Sequence, residues 1–280
     1  MGVTFSAGFT LGPMLGAMLL PATALAWLPP HMFQAVAFTS ALLSALTWLV
    51  IVVVLPETRP PLAATKDHEA APLSAAPEVS IHRRRLLGWT QALNASYVMV
   101  FAGLESTLAF LLAERLRYTS RETGRLLTLV GITAAVVQGG FLRRAANRHQ
   151  PDELAIVILG TLALVAAYAT FAAASTATAV HAGALLYALA SATVVSCLTA
   201  TASLLAPVSQ TARVLGYMRA GAQLGRTVGP AIFGALYWTH GSRAAYAVAA
   251  GLALGPLLIA VSVRRSWLTI RSGLLHAKAS

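Results

Sequence analysis

Residues 31–55 read HMFQAVAFTSALLSALTWLVIVVVL, with no Asp, Glu, Lys or Arg among them. Wound as a helix rising about 1.5 Å per residue, such a stretch outruns the ~30 Å hydrocarbon core of a bilayer. The uncharged run reaches back to the first residue, since the first charged residue of the chain is Glu57. Pro29-Pro30 divides it into two apolar segments, because neither proline continues a helix. Working outward, spans are expected near 3–26, 31–55, 87–113, 123–142, 153–175, 179–204, 213–238 and 243–263. A bilayer core offers no water to backbone polar groups, so spanning segments are helices or a closed barrel. Barrel strands alternate in polarity, whereas these runs are continuous. The expected fold is therefore all-α, a polytopic membrane bundle of about eight spans.

Composition excludes the rival classes. The chain is 57% hydrophobic and 10% charged, against about 25% charged in soluble domains. The net charge of +11 does not point to nucleic acid, because the basic residues sit in short loops between apolar segments rather than on a soluble face. The single Cys197 rules out an internal disulfide and a cysteine-based metal cluster. The seven histidines show no metal-ligand spacing, and there is no nucleophile elbow or phosphate-binding loop. No metal, no cofactor and no enzymatic activity are expected. Met1-Gly2-Val3 lacks the basic start of a secretory leader, so the first segment is read as a span.

Residues 56–86 form one long hydrophilic segment rich in Ala, Pro and charge, ending in His82-Arg83-Arg84-Arg85. That composition cannot bury a core and reads as a disordered linker between two bundles. The expected organisation is thus two helices over 1–55, a cytosolic linker over 56–86, six helices over 87–264 and a cytosolic tail over 265–280. Basic residues fix the orientation. Arg59, Lys66, Arg83, Arg84, Arg85, Arg143, Arg144, Arg148, Arg213, Arg264, Arg265, Arg271 and Lys278 share one side if the spans alternate, against Arg115, Arg117, Arg121, Arg125 and Arg243 on the other. The richer side is the cytosol, which places both termini there.

The ionisable residues inside spans carry the chemistry. A charge at mid-membrane costs at least about 2.5–3.5 kcal/mol, so it usually faces protein or a water-filled cavity. Three such residues stand out: Glu105, Arg219 and Arg226. Arg219, Gln223 and Arg226 lie at i, i+4 and i+7 on one helix face. Gly221, Gly225 and Gly229 lie on another face, about 100° away, where a neighbouring helix can approach closely. An arginine fork suits a carboxylate or phosphate. Arg219 either binds a solute or snorkels to the interface, and Arg226 either binds a solute or forms a structural ion pair. Glu105 is a counter-ion, a proton carrier or a water-facing interface residue. Gln138 and Asn94 either line the same cavity or bond between helices. The sequon Asn94-Ala95-Ser96 falls in or beside a span and is a chance match.

The first span contains Gly8-x-x-x-Gly12-Pro13 followed by Gly16-Ala17, and the seventh contains Gly225-x-x-x-Gly229-Pro230 followed by Gly234-Ala235. The two lie six spans apart, the separation that parallel six-span halves require. The first span here would then be the fifth of twelve. Pro13 breaks a backbone hydrogen bond, giving either a hinge or a fixed bend.

Gly12-Pro13-x-x-Gly16 resembles the antiporter motif in the fifth span of drug:proton antiporters of the major facilitator superfamily, and Pro56-Glu57-Thr58 resembles the close of their sixth. The run Gly103-Leu104-Glu105-Ser106-Thr107-Leu108-Ala109-Phe110, Gly131 through Gln138-Gly139, and Leu142-Arg143-Arg144 is similar to eukaryotic tetracycline-transporter-like members. Leu186-Tyr187, Met218-Arg219, Gly229-Pro230 and Tyr237-Trp238 continue the likeness in order. The resemblance implies a twelve-helix fold with a cavity between two halves, here lacking its first four helices and the acidic residues they carry. It also implies proton-coupled or exchange transport of organic anions and drugs, with Glu105, Arg219 and Arg226 at the cavity. The partners are then a small-molecule solute, a proton where transport is coupled, and the lipid bilayer. The alternative is a non-transporting membrane remnant or a partner-binding scaffold.

Overall fold

The computed structural model describes Gly8, Leu11, Gly12, Leu15 and residues 32–56, 81–146 and 152–279. The first span's Pro13 and Gly16, and most of the expected linker, lie outside the described residues. Gly8, Leu11, Gly12 and Leu15 are helical. Helix α1 is Met32–Val54, α2 is Ile81–Leu116, α3 is Ser120–Val136, α4 is Glu153–Ala173 and α5 is Ala177–Leu205. The last continuous helical stretch, Thr211–Ala279, is two helices, because Gly241 inside it sits at φ 78°, ψ 165°. At about 1.5 Å per residue the whole stretch would be roughly three times as long as a bilayer core is thick. We take 211–240 as α6 and 242–279 as α7. All regular structure among the described residues is helical, and six helical stretches, with α6 and α7 counted as one, are long and apolar enough to span.

Local chemistry explains the ends. A capping box opens α3: Thr119 Oγ1 accepts from the Glu122 N–H, and Glu122 Oε2 accepts from the Thr119 N–H at 2.8 Å. Asp152 Oδ1 caps α4 through the Ala155 N–H at 3.0 Å, and Thr176 Oγ1 caps α5 through Ala179 at 3.3 Å. The break between α6 and α7 falls on Gly241 because a positive φ carries no steric penalty without a Cβ.

Two boundaries differ from the sequence reading. Helix α2 opens at Ile81, so His82-Arg83-Arg84-Arg85 are helical rather than part of the linker. The reason is tertiary. Arg83 Nε donates to the Leu205 carbonyl at 2.6 Å, and its Nη2 reaches those of Leu204 and Ala206 at 3.3 and 3.4 Å, capping the end of α5. Leu86 and Leu87 are buried beside it. At the other end, α7 continues to Ala279 through the expected tail.

Helices α2 to α7 form one bundle in which α2 packs along the α6–α7 region, α4 lies against α5 and α6–α7, and α3 lies against α5. Its centre is aromatic. Phe101 stacks on Tyr187 at 4.6 Å, and Tyr168 lies 6.0 Å from Phe233 and 5.8 Å from Tyr246. Buried threonines bond back into their own helices, as Thr161 does to Val157 at 2.8 Å and Thr201 to Cys197 at 2.9 Å, which satisfies their hydroxyls at depth. Helix α1 differs: its described side chains other than the partly buried Thr39 are exposed, Phe38 and Val53 among them.

Candidate solute path

Residue by residue, the site begins where α6 crosses α2. A Cβ added to Gly229 would stand 2.2 Å from the Met99 carbonyl oxygen, and one added to Gly225 would stand 2.6 Å from that of Ala95. Side chains cannot fit there, so the two backbones touch through glycine. On the α2 side, Gly103 receives the ring of Phe233. Asn94 Nδ2 donates to the Met218 carbonyl at 3.1 Å in the same seam. Asn94 therefore joins helices rather than lining a cavity, and its burial removes the sequon from any modifying enzyme.

This crossing sets Arg226 of α6 opposite Glu105 of α2. Arg226 Nη1 lies 3.4 Å from Glu105 Oε2, with the two side chains 39% and 34% exposed. The pair is long for a charge-assisted hydrogen bond and leaves most of the guanidinium's five donors available. Pro230, one turn on, has no N–H to offer the Arg226 carbonyl, so the helix loses a backbone bond beside the cation. Arg219 and Gln223 are exposed along the same helix, and Arg219 has a contact of its own. Gln138 is half-buried on a π-helical stretch, Val137–Leu142, that follows α3, and it too is engaged. Such π turns in a helix frequently mark functional positions. Gly12 is helical, with no described residue's atom within 4 Å of where its Cβ would stand.

Two tyrosines stack on Phe101, Tyr97 at 5.7 Å and Tyr187 at 4.6 Å. Tyr187 lies within electrostatic reach of both Glu105 and Arg226. Its hydroxyl and that of Tyr97 are buried without a hydrogen-bond partner among the described residues. Buried polar groups are nearly always satisfied, which sets these two apart from the bonded threonines.

A second polar cluster escaped the sequence reading. At the far end of α2, Tyr237 Oη donates to Glu114 Oε2, and Ser242 Oγ donates to Glu114 Oε1 at 3.4 Å. Arg115 Nη1 bonds the carbonyls of Phe171, Ala172 and Ala174, while its Nε and Nη2 bond Ser242 Oγ at 3.2 and 3.1 Å. Arg115 thus caps α4 and holds the first residue after the Gly241 break. At the opposite end of the bundle, Arg264 grips Asp152 Oδ2 through Nε and Nη2 at 2.9 and 2.7 Å. Counted only as topological charge, these arginines gave no hint of their partners, which lie more than fifty residues away in sequence.

Taken together, an all-helical bundle of span-length apolar helices with glycine-mediated crossings defines a polytopic membrane protein. The major facilitator superfamily family model matches residues 1–218, and the chain belongs to that superfamily, whose members are transporters rather than enzymes. It is 33% identical over 279 residues to the human major facilitator superfamily domain-containing protein 10 and 30% identical over 276 residues to the mouse protein, each alignment covering 92% of this chain and 57% of the relative. Among solved structures, that of the human organic anion transporter MFSD10 (TETRAN) matches with a TM-score of 0.73 at 32% identity, over 92% of this chain and 62% of that one. The chain therefore spans somewhat more than half the length of the relatives it matches.

Proposed function

We propose that this chain supplies the last two helices of the N-terminal half and the six-helix C-terminal half of a secondary active transporter for small organic anions, working by alternating access with both termini in the cytosol. The observation that carries the proposal is the loose Arg226–Glu105 pair, 3.4 Å apart and more than a third exposed, on helices that cross the membrane. A guanidinium at that depth is tolerated beside a hydrated path, and its open donors match the planar fork of a carboxylate, sulfonate or sulfate. The organic anion transporter named among its relatives supports the substrate class.

The pair also suggests how a proton enters. An anion that engages Arg226 competes with Glu105 for the same cation. The carboxylate that the anion displaces from Arg226 is the group we assign to carry the proton, so anion binding and proton movement are linked. Rocking of the two halves about the segment that joins α1 to α2, with the glycine seam between α2 and α6 holding the C-terminal half together, is the motion that admits solute.

The test is uptake of a radiolabelled naphthalenesulfonate, charged at every pH used, into proteoliposomes containing the full chain. Arg226→Ala is expected to lower uptake at least about tenfold, the loss of one charge-assisted contact, with insertion unchanged. Glu105→Gln is expected to leave uptake measurable but independent of an imposed proton gradient. Wild-type rates in Arg226→Ala would remove that residue from the path. Rates equal to protein-free vesicles in the wild type would favour the scaffold reading.

A further inference from the structure

Opposite the solute path, the bundle carries a groove of about 890 Å³ between the start of α2 and the second half of α7. Its walls include Arg85, Leu86 and Trp89 from α2 and Leu258, Ser262 and Ser266 from α7. On α2, Arg85 and Trp89 precede Glu105 by 20 and 16 residues, which places them about 160–200° around the helix and some 24–30 Å along it from that carboxylate. The groove therefore belongs neither to the face nor to the depth of the Arg226–Glu105 pair.

Both walls grade in the same sense. Going toward the end that the basic residues assign to the cytosol, α7 passes from Leu258 to Ser262 to Ser266 to Thr269, and α2 passes from Trp89 to Arg85 to His82. The apolar part is open: Leu258 is 66% and Trp89 46% exposed. At the polar part, the hydroxyl of Ser262 is spent on the Leu258 carbonyl at 2.7 Å and that of Thr269 on Arg265 at 3.3 Å. The Arg85 guanidinium and the Ser266 hydroxyl make no hydrogen bond or ion pair with a described residue. Among the described residues, no Asp or Glu lines the groove. A cation and a free hydroxyl donor thus stand at the aqueous end of a slot whose other end is hydrocarbon-like, with an indole at the join, where amphipathic rings settle at membrane interfaces.

We infer that this groove binds an anionic phospholipid of the cytosolic leaflet. Its headgroup phosphate is held by Arg85 and Ser266, and its acyl chain lies along Trp89, Leu86 and Leu258. A basic pocket between spans at the cytosolic side is suited to an anionic headgroup by charge, and the graded walls select an amphiphile over a soluble anion. The site stands independently of the transport proposal, since none of its residues touches the Arg226–Glu105 pair.

Native mass spectrometry of the full chain in dodecyl maltoside, with added phosphatidylserine or phosphatidylcholine, tests it. Wild-type protein is expected to retain phosphatidylserine in preference to phosphatidylcholine. Arg85→Gln is expected to lower the phosphatidylserine adduct about tenfold, the loss of one charge-assisted contact. Ser262→Leu, which fills the slot without changing charge, is expected to lower adducts of both lipids. Unaltered melting temperatures show that the variants are folded, because Arg85 and Ser262 are exposed. Equal phosphatidylserine retention by wild type and Arg85→Gln overturns the assignment. So does displacement of the lipid by excess inorganic phosphate, which would mark a soluble-anion site. A disulfide between Ser266→Cys and Ala71→Cys that blocks the adduct would also overturn it, by showing that the chain's own segment fills the groove.

Discussion

At the scale of single residues, the glycines of α6 are not equivalent, and their differences can be measured. Gly229 has a backbone carbonyl where a Cβ would go, whereas Gly234, on the same helix, has nothing within 4 Å. A methyl at Gly229 must push α2 away from α6, because a carbonyl cannot rotate aside as a side chain can. Gly229→Ala is therefore expected to destabilise the bundle by about 1–3 kcal/mol, the usual range for overpacking. Gly234→Ala is expected to be neutral or to stabilise by up to about 1 kcal/mol through helix propensity. Thermal unfolding in detergent separates the two; equal effects would show that the α2–α6 contact is slack. The glycine face was legible in the sequence because spacing alone defines a helix face. The residue that receives Gly229, Met99, was not, since it lies on another helix and carries no polar or small-residue signal. Glu105 and Arg226 were each legible as costly charges at depth. Their pairing was one of several open alternatives, because periodicity says which residues share a face and not which faces meet.

At the scale of elements, the bundle is tied at both ends by arginines that address backbone carbonyls or a capping carboxylate. Arg83 closes α5, Arg115 closes α4 and grips Ser242, and Arg264 holds the N-cap of α4. A helix terminus in or near lipid has unsatisfied carbonyls and little water to serve them, so one guanidinium can serve several. The α6–α7 turn depends on this arrangement. Gly241 supplies the positive φ, and Ser242, next in sequence, is anchored by Arg115 and Glu114. Gly241→Ala is expected to cost about 1–3 kcal/mol, the penalty for a Cβ at a positive φ with extended ψ, a conformation essentially confined to glycine. Arg115→Met is expected to cost more, about 3 kcal/mol, because buried carbonyl acceptors lose charged donors. Should Arg115→Met melt with the wild type, its bonds to the α4 carbonyls contribute nothing to stability. The order of the described helices was readable from apolar run length. The extra turns at the start of α2 were not, because their helicity comes from Arg83 meeting the end of α5, about 120 residues away in sequence.

At the scale of the molecule, the described chain divides unequally. Helices α2 to α7 share a core in which Trp267, Tyr97, Tyr168 and Tyr246 are fully buried. Helix α1 presents Phe38, Leu42, Trp48 and Val53 at 66–74% exposure. Exposure of apolar side chains is the normal state of a lipid-facing helix, so α1 needs no partner to be stable once inserted. The six-helix unit has its own capping residues, its own aromatic centre and all three tethering arginines, none of which draws on a described residue before Ile81. That independence is what a two-half transporter requires, since the halves must rock without either losing its packing. A protein beginning at Ile81 is therefore expected to insert and to melt within about 2–4 °C of the full chain, the shift that a change of 1 kcal/mol produces at this size. Hydrogen exchange of the α2–α6 seam is expected to be unchanged as well. A fall of ten degrees or more would mean that residues before Ile81 contribute to the core of the C-terminal unit. The rigid element of any rocking motion would then have to include the first two spans, and the boundary between moving parts would shift away from the segment that joins α1 to α2.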